Sequence, residues 1–149
     1  MKKLLISRCL LGDPCRYDGK SKPLPAGTLA ALRARYTLVP VCPEVLGGLD
    51  TPRTPSERQG DRVMTATGED VTAQYRRGAE IALETARREH VTAALLKERS
   101  PSCGKGEIYD GSFSRTLTPR SGVTAELLLE AGFAVYGESE ISTLIQSGE

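Results

Sequence analysis

Four cysteines, Cys9, Cys15, Cys42 and Cys103, lie in stretches rich in Gly, Pro and Ser, and three of them follow short apolar runs. Leu4-Leu5-Ile6-Ser7-Arg8 leads to Cys9, and Leu38-Val39-Pro40-Val41 leads to Cys42. Ala94-Leu95-Leu96-Lys97 leads through Ser100-Pro101-Ser102 to Cys103. Such runs read as parallel strands, and in an open α/β sheet the loops at the carboxyl ends of the strands gather along one edge, where ligands bind. Cys9, Cys42 and Cys103 are therefore expected to share one site. Three thiolates in one crevice repel one another unless something cationic neutralises them, which points to a metal or an iron-sulfur cluster.

Other readings of the cysteines compete with this one. A lone Cys after a strand often serves as a small buried hydrophobe, but three in equivalent loops are harder to explain that way. Structural zinc favours closely paired ligands, and the chain has no Cys-x-x-Cys and one histidine, His90, read as facing solvent at the end of a charged helix. Cys9 and Cys15, with five residues between them in a turn-rich loop, could form a disulfide or redox pair. An anion-wrapping loop is weakly indicated: no Gly-x-x-x-x-Gly-Lys-Ser/Thr occurs, and the Cys-x5-Arg spacing counted from Cys9 misses Arg16 by one residue.

The elements that must position these residues follow from periodicity and turn chemistry. A first strand is expected over 3–7, followed by a long loop from Leu10 to Pro25, and long loops are often functional. A helix carrying Leu29, Ala30 and Leu32 leads to a second strand over 37–41. The stretch 43–60, with Pro43, Gly47, Gly48, Pro52 and Pro55, reads as irregular, and 62–65 as a short extended piece. The clearest helix starts at Asp70 as N-cap and runs to about Glu89, with Val71, Tyr75, Ala79, Ala82, Leu83 and Ala86 on its apolar face. A third strand over 91–97, a hairpin within 108–113, a helix near 123–131, a fourth strand over 133–136 and a terminal helix with Ile141, Leu144 and Ile145 complete the pattern. Alternating strands and helices imply one Rossmann-like α/β domain over 1–149: an open parallel sheet in the order 2-1-3-4, with helices on both faces.

Bulk properties narrow the function classes. The 20 Lys+Arg and 19 Asp+Glu leave a net charge of +1, so no overall basic field favours nucleic acid. The first apolar run ends at Ser7, too short for a signal sequence or a membrane span. A reducing cytoplasm is the expected compartment, and there cysteines are more often ligands or catalysts than disulfides.

The full strings are more specific than the cysteines. Ser7-Arg8-Cys9-Leu10-Leu11-Gly12, Cys15-Arg16-Tyr17-Asp18-Gly19, Cys42-Pro43-Glu44-Val45-Leu46-Gly47-Gly48-Leu49 with Pro52-Arg53, and Leu96-Lys97 with Ser100-Pro101-Ser102-Cys103-Gly104 together resemble the thiouracil desulfidase family, TudS-like proteins. Asp70-Val71-Thr72, Ile108-Tyr109-Asp110-Gly111-Ser112-Phe113 and Gly122-Val123-Thr124 extend the resemblance across essentially the whole chain.

That resemblance implies a 4Fe-4S cluster held by only three ligands, Cys9, Cys42 and Cys103, with Cys15 off the iron and shaping its loop. It implies catalytic roles for Glu44, as general base toward water, and for Ser100, as hydrogen-bond donor or proton relay. The implied reaction is a non-redox desulfuration: a thiolated pyrimidine such as 2- or 4-thiouracil binds the open iron through sulfur, and water replaces sulfide to leave uracil. Ser102 is the less favoured serine. Arg16, Asp18, Arg53, Lys97 and Arg99 read equally well as loop locks, and Tyr17 as a stacking surface or core. Two alternatives stay open: a cluster carrier or redox sensor using all four cysteines, and a tRNA thiouridine desulfidase. The second would need a basic face that the composition does not supply.

Overall fold

The computed structural model describes residues 1–147. Four parallel strands, β1 (Lys2–Ser7), β2 (Tyr36–Val41), β5 (Ala93–Leu96) and β8 (Ala134–Gly137), form a sheet in the order β2-β1-β5-β8, the order expected from the sequence. Two antiparallel hairpins complete the strands, β3 (Ser56–Gln59) with β4 (Arg62–Thr65) and β6 (Ile108–Tyr109) with β7 (Leu117–Thr118). The helices are α1 (Ala26–Arg35), α2 (Pro43–Leu46), α3 (Thr72–Arg88), α4 (Val123–Glu130) and α5 (Ile141–Ser147).

β1 shows why the sheet needs cover on both sides. Leu4, Leu5 and Ile6 are all fully buried, and alternate residues of a strand point to opposite faces. Leu4 and Ile6 pack with Leu32 of α1, Leu95, and Leu144 of α5. Leu5 packs with Ala86 of α3, Ala125 and Leu128 of α4, Leu96 and Val135. The Tyr36 hydroxyl donates to the Leu144 carbonyl at 3.1 Å and ties α5 to the edge strand. Among the described residues no helix is long and apolar enough to cross a membrane.

Register levels the carboxyl ends of the strands. Ser7 pairs with Val41 across β1 and β2, so Cys9 and Cys42 leave the sheet side by side. Leu96 pairs with Gly137, and the Lys97 amide donates to the Ser7 hydroxyl at 2.9 Å, which brings the exit of β5 to the same edge. The chain's strand order turns around between β1 and β5, so the crevice of the sheet opens there. The long loop after β1 folds back over Cys9 instead of leaving it open: Lys22 N donates to Cys9 O at 3.0 Å and Leu24 N to Leu10 O at 2.9 Å.

Two sequence expectations need correction. The stretch 43–60 is not irregular throughout, since it holds α2 and β3. Pro43 occupies the first turn of α2, where a missing N–H costs nothing, so a residue read as a breaker starts a helix instead. The hairpin placed within 108–113 returns only at Leu117, because residues 110–116 form its loop. Glu57 Oε1 accepts from the Gly111 and Phe113 amides at 3.0 and 3.1 Å and holds that loop open against β3. The β3–β4 hairpin is fastened in turn by buried Arg58, which donates to the carbonyls of Gly60 and Ser121 and to Glu126 of α4.

The contact on which the site leans most is between α2 and α3. A Cβ on Gly78 would lie 1.9 Å from the Pro43 carbonyl oxygen, and one on Gly47 would lie 1.9 Å from the Gln74 carbonyl oxygen. The two backbones therefore touch directly, and neither position accepts a side chain without parting the helices. Gly78→Ala is expected to cost about 1–3 kcal/mol by overpacking, read as a fall in the urea midpoint. Gly27→Ala, in α1 with no atom within 4 Å of the added methyl, is expected to stabilise by about 0.4–1 kcal/mol. Equal midpoints for Gly78→Ala and the parent would mean that the helices separate at no cost.

Candidate functional site at the carboxyl ends of the strands

One cavity of about 670 Å³ opens over the crevice between β1 and β5. Cys9, Cys15, Cys42, Cys103, Glu44 and Ser100 all line it, so every residue singled out from the sequence for catalysis or cofactor binding faces one space. The 3-10 turn Arg8–Leu11 carries Cys9, the N-cap of α2 is Cys42, and the loop after β5 carries Ser100 and Cys103. Cys15 also lines the cavity, so all four cysteines border it.

All four cysteines are buried and free, so Cys9 and Cys15 form no disulfide. The Cys42 thiol donates to the Cys15 carbonyl at 3.8 Å. Burial, reinforced by the nearby Glu44 charge, pushes the Cys103 thiol up to about 12 despite hydrogen bonds from Ser7 and Ser102. Contact with Cys15, then burial, raises Cys42 further still. For Cys15 the hydrogen bond with Cys42 acts to lower the pKa, but the bond with Cys9 and burial outweigh it, and the net shift is upward. These thiols stay protonated until a cationic centre displaces their protons. Among the described residues no three His, Cys, Asp or Glu side chains close tightly enough on one point to hold a single metal ion. Cys15 lies in contact with both Cys42 and Cys9, so the first loop and the start of α2 bring their sulfurs to one end of the cavity.

Glu44 sits in the first turn of α2 with its two oxygens in different surroundings. Oε1 accepts from Tyr75 Oη at 2.8 Å and from Arg53 Nη2 and Nε at 3.1 and 3.2 Å. Oε2 receives the Ser100 hydroxyl at 3.4 Å. Ser100 Oγ itself accepts from the amides of Ser102 and Cys103 at 3.1 and 3.0 Å, so it both closes the turn expected before Pro101 and points its proton at the carboxylate. Arg53 Nη2 also donates to the Cys15 carbonyl at 3.1 Å, linking the first loop to Glu44.

The polar residues read as loop locks divide. Arg53 belongs to the site through Glu44, whereas Arg16 pairs with Asp18 at 3.6 Å and Lys97 with Glu138 at 3.1 Å. Arg99 is exposed with φ of 65° and lines the cavity mouth, as does exposed Tyr17, beside the Arg16 guanidinium. Ser102 is fully buried and bonded to Thr124 at 2.7 Å, so it anchors α4 and does not face the cavity. His90 is exposed and remote from the lining residues, as expected.

Sequence reasoning missed Tyr75, Ser56, Glu57, Tyr109 and Arg115, all of which line the cavity. Tyr75 carries no local signal beyond its place on the apolar face of α3. Its partner lies 31 residues away. Arg115 comes from the loop of the second hairpin, beyond the stretch 108–113 expected from the sequence, and Tyr109 from its first strand.

A family model described as 2-thiouracil desulfurase matches residues 4–140. The chain belongs to the 2-thiouracil desulfurase family. It is 41% identical over 152 residues to the uncharacterized protein YbbK of Bacillus subtilis (strain 168), covering 95% of this chain and 99% of that protein. It superposes with a TM-score of 0.94 on a solved structure of the 4Fe-4S-dependent thiouracil desulfidase TudS, at 46% identity and over 99% of this chain and 97% of that one. Membership in the 2-thiouracil desulfurase family makes the protein an enzyme of the thiouracil desulfidase type.

Ser102→Ala separates the two serines. Orphaning Thr124 in a fully buried position is expected to cost about 1–3 kcal/mol, read as a fall in the urea midpoint. Adding Thr124→Val should recover part of that loss, because no unpaired hydroxyl then remains. A fully additive double variant would show that the pair is not coupled.

Proposed function

We propose that residues 1–149 act as a single desulfidase domain that removes sulfur from a thiolated pyrimidine such as 2- or 4-thiouracil by a non-redox hydrolysis of the carbon-sulfur bond. The observation that carries this reading is that buried thiols, the Glu44 carboxylate and the Ser100 hydroxyl line one cavity. The donor set fits a 4Fe-4S group: soft sulfurs, free and buried, placed by three strand-end loops. Cys9, Cys42 and Cys103 are its proposed ligands, with Cys15 contributing its carbonyl to the loop. When bound, such a cluster with three protein ligands supplies one iron open to a soft sulfur donor and polarises the thiocarbonyl.

The chain's own residues supply the rest. Glu44 Oε2 takes a proton from a water adding to the thiocarbonyl carbon, and that proton leaves with the sulfur. The sum, C=S plus water giving C=O plus hydrogen sulfide, needs no electron donor. Ser100 directs its hydroxyl proton toward Oε2 and steadies it between proton transfers.

A second reading, a cluster carrier or redox sensor with four cysteine ligands, is favoured by one observation: Cys15 lines the same cavity. Anaerobic reconstitution decides between them. Protein loaded with iron and sulfide is expected to release sulfide from 4-thiouracil without reductant, and Cys15→Ser to keep both cluster and turnover. Glu44→Gln should keep the cluster and lose roughly 100-fold or more in kcat, the range of general-base catalysis. Turnover that depends on an added electron source, or a Cys15→Ser protein that fails to hold iron, would remove the non-redox, three-ligand scheme.

A further inference from the structure

The two oxygens of Glu44 are not equivalent, and a residue on α3 makes the difference. Tyr75 is 2% exposed, and its ring packs among Val63, Val71 and Leu49, which leaves the phenol one orientation. Its hydroxyl reaches Oε1 at 2.8 Å, where Arg53 adds two further donors, so three N–H or O–H groups occupy an oxygen with about two lone-pair sites. Oε2 has the Ser100 hydroxyl at 3.4 Å, and Glu44 and Ser100 both line the cavity. Tyr75 reaches this spot because Gly78, three residues on along the same face of α3, lies against the Pro43 carbonyl and brings the helix up to α2.

We infer that Tyr75 is the positioning residue of Glu44: with Arg53 it saturates Oε1, so that proton exchange with the substrate side runs through Oε2. The inference rests on the desulfidase reading for what Glu44 does, and on the contact alone for how Glu44 is held. Freed of the phenol, the carboxylate turns about its terminal torsion and presents Oε2 to water for a smaller fraction of the time. The aromatic packing does not need the oxygen, so Tyr75→Phe removes the hydrogen bond and keeps the ring.

Tyr75→Phe in the reconstituted enzyme is expected to lower kcat roughly tenfold to hundredfold, the effect of one charge-assisted hydrogen bond. KM for 4-thiouracil and the iron and sulfide content should stay at parental values, and the substitution should add no loss to Glu44→Gln. A second cycle uses iron-free protein and no activity: the fall in urea midpoint caused by Tyr75→Phe should vanish in a Glu44→Ala background. Unchanged kcat in Tyr75→Phe, or a loss that persists in full on top of Glu44→Gln, would overturn the assignment, as would additive midpoints. A loaded parent that releases no sulfide would bring down the desulfidase reading instead, and the stability cycle then decides the Tyr75 contact by itself.

Discussion

A carboxylate set among buried thiols is the constraint on which the rest of the site depends. Glu44 is about one-seventh exposed and Arg53 about one-tenth, so the pair has surrendered most of its hydration. Withdrawing a carboxylate from water costs several kcal/mol unless donors replace the solvent. Here Tyr75, Arg53 and Ser100 replace it, and each comes from a different segment: α3, the loop before β3, and the loop after β5. Arg53 extends the node to the first loop through the Cys15 carbonyl. One side chain therefore ties together segments that share no strand pairing.

The thiols obey a complementary rule. Contact with Cys15 and then burial raise Cys42, burial raises Cys103, and Cys15 rises because the lowering hydrogen bond with Cys42 is outweighed by the bond with Cys9 and by burial. Such thiols are poor nucleophiles by themselves and become ligands only when a metal centre takes the place of their protons. The cavity thus keeps Cys15, Cys42 and Cys103 neutral in the absence of a metal centre. Arg8 gains slightly from the cysteines but keeps Asp13 as its principal partner, so it does not claim a thiolate for itself.

The main elements were legible because their signals are local. Leu4-Leu5-Ile6 is a run that only a strand covered on both faces can bury, and the residues following such strands reach one edge by topology. Cys9, Cys42 and Cys103 could therefore be picked out by topology, Glu44 and Ser100 by the family resemblance of their loops, and all five line one cavity. The stretch 43–60 was misread because Pro and Gly were treated as breakers, whereas Pro43 opens α2 and Gly47 closes it. The second hairpin was drawn too short, within 108–113, because the span of its loop is set by Glu57 from another hairpin and not by a local turn signal.

What the sequence determined alone is the parallel sheet and the set of strand-end loops that carry sulfur, since apolar periodicity and strand topology follow from chain-local patterns. What only the tertiary structure decided is the partner of each polar group: Tyr75 on Glu44, Ser102 on Thr124, and Cys15 at the cavity alongside the other three. Those choices depend on how closely α2 and α3 approach and on which loops fold back, and a hydroxyl that completes a carboxylate leaves the same mark on a helical pattern as one that merely sits in the core.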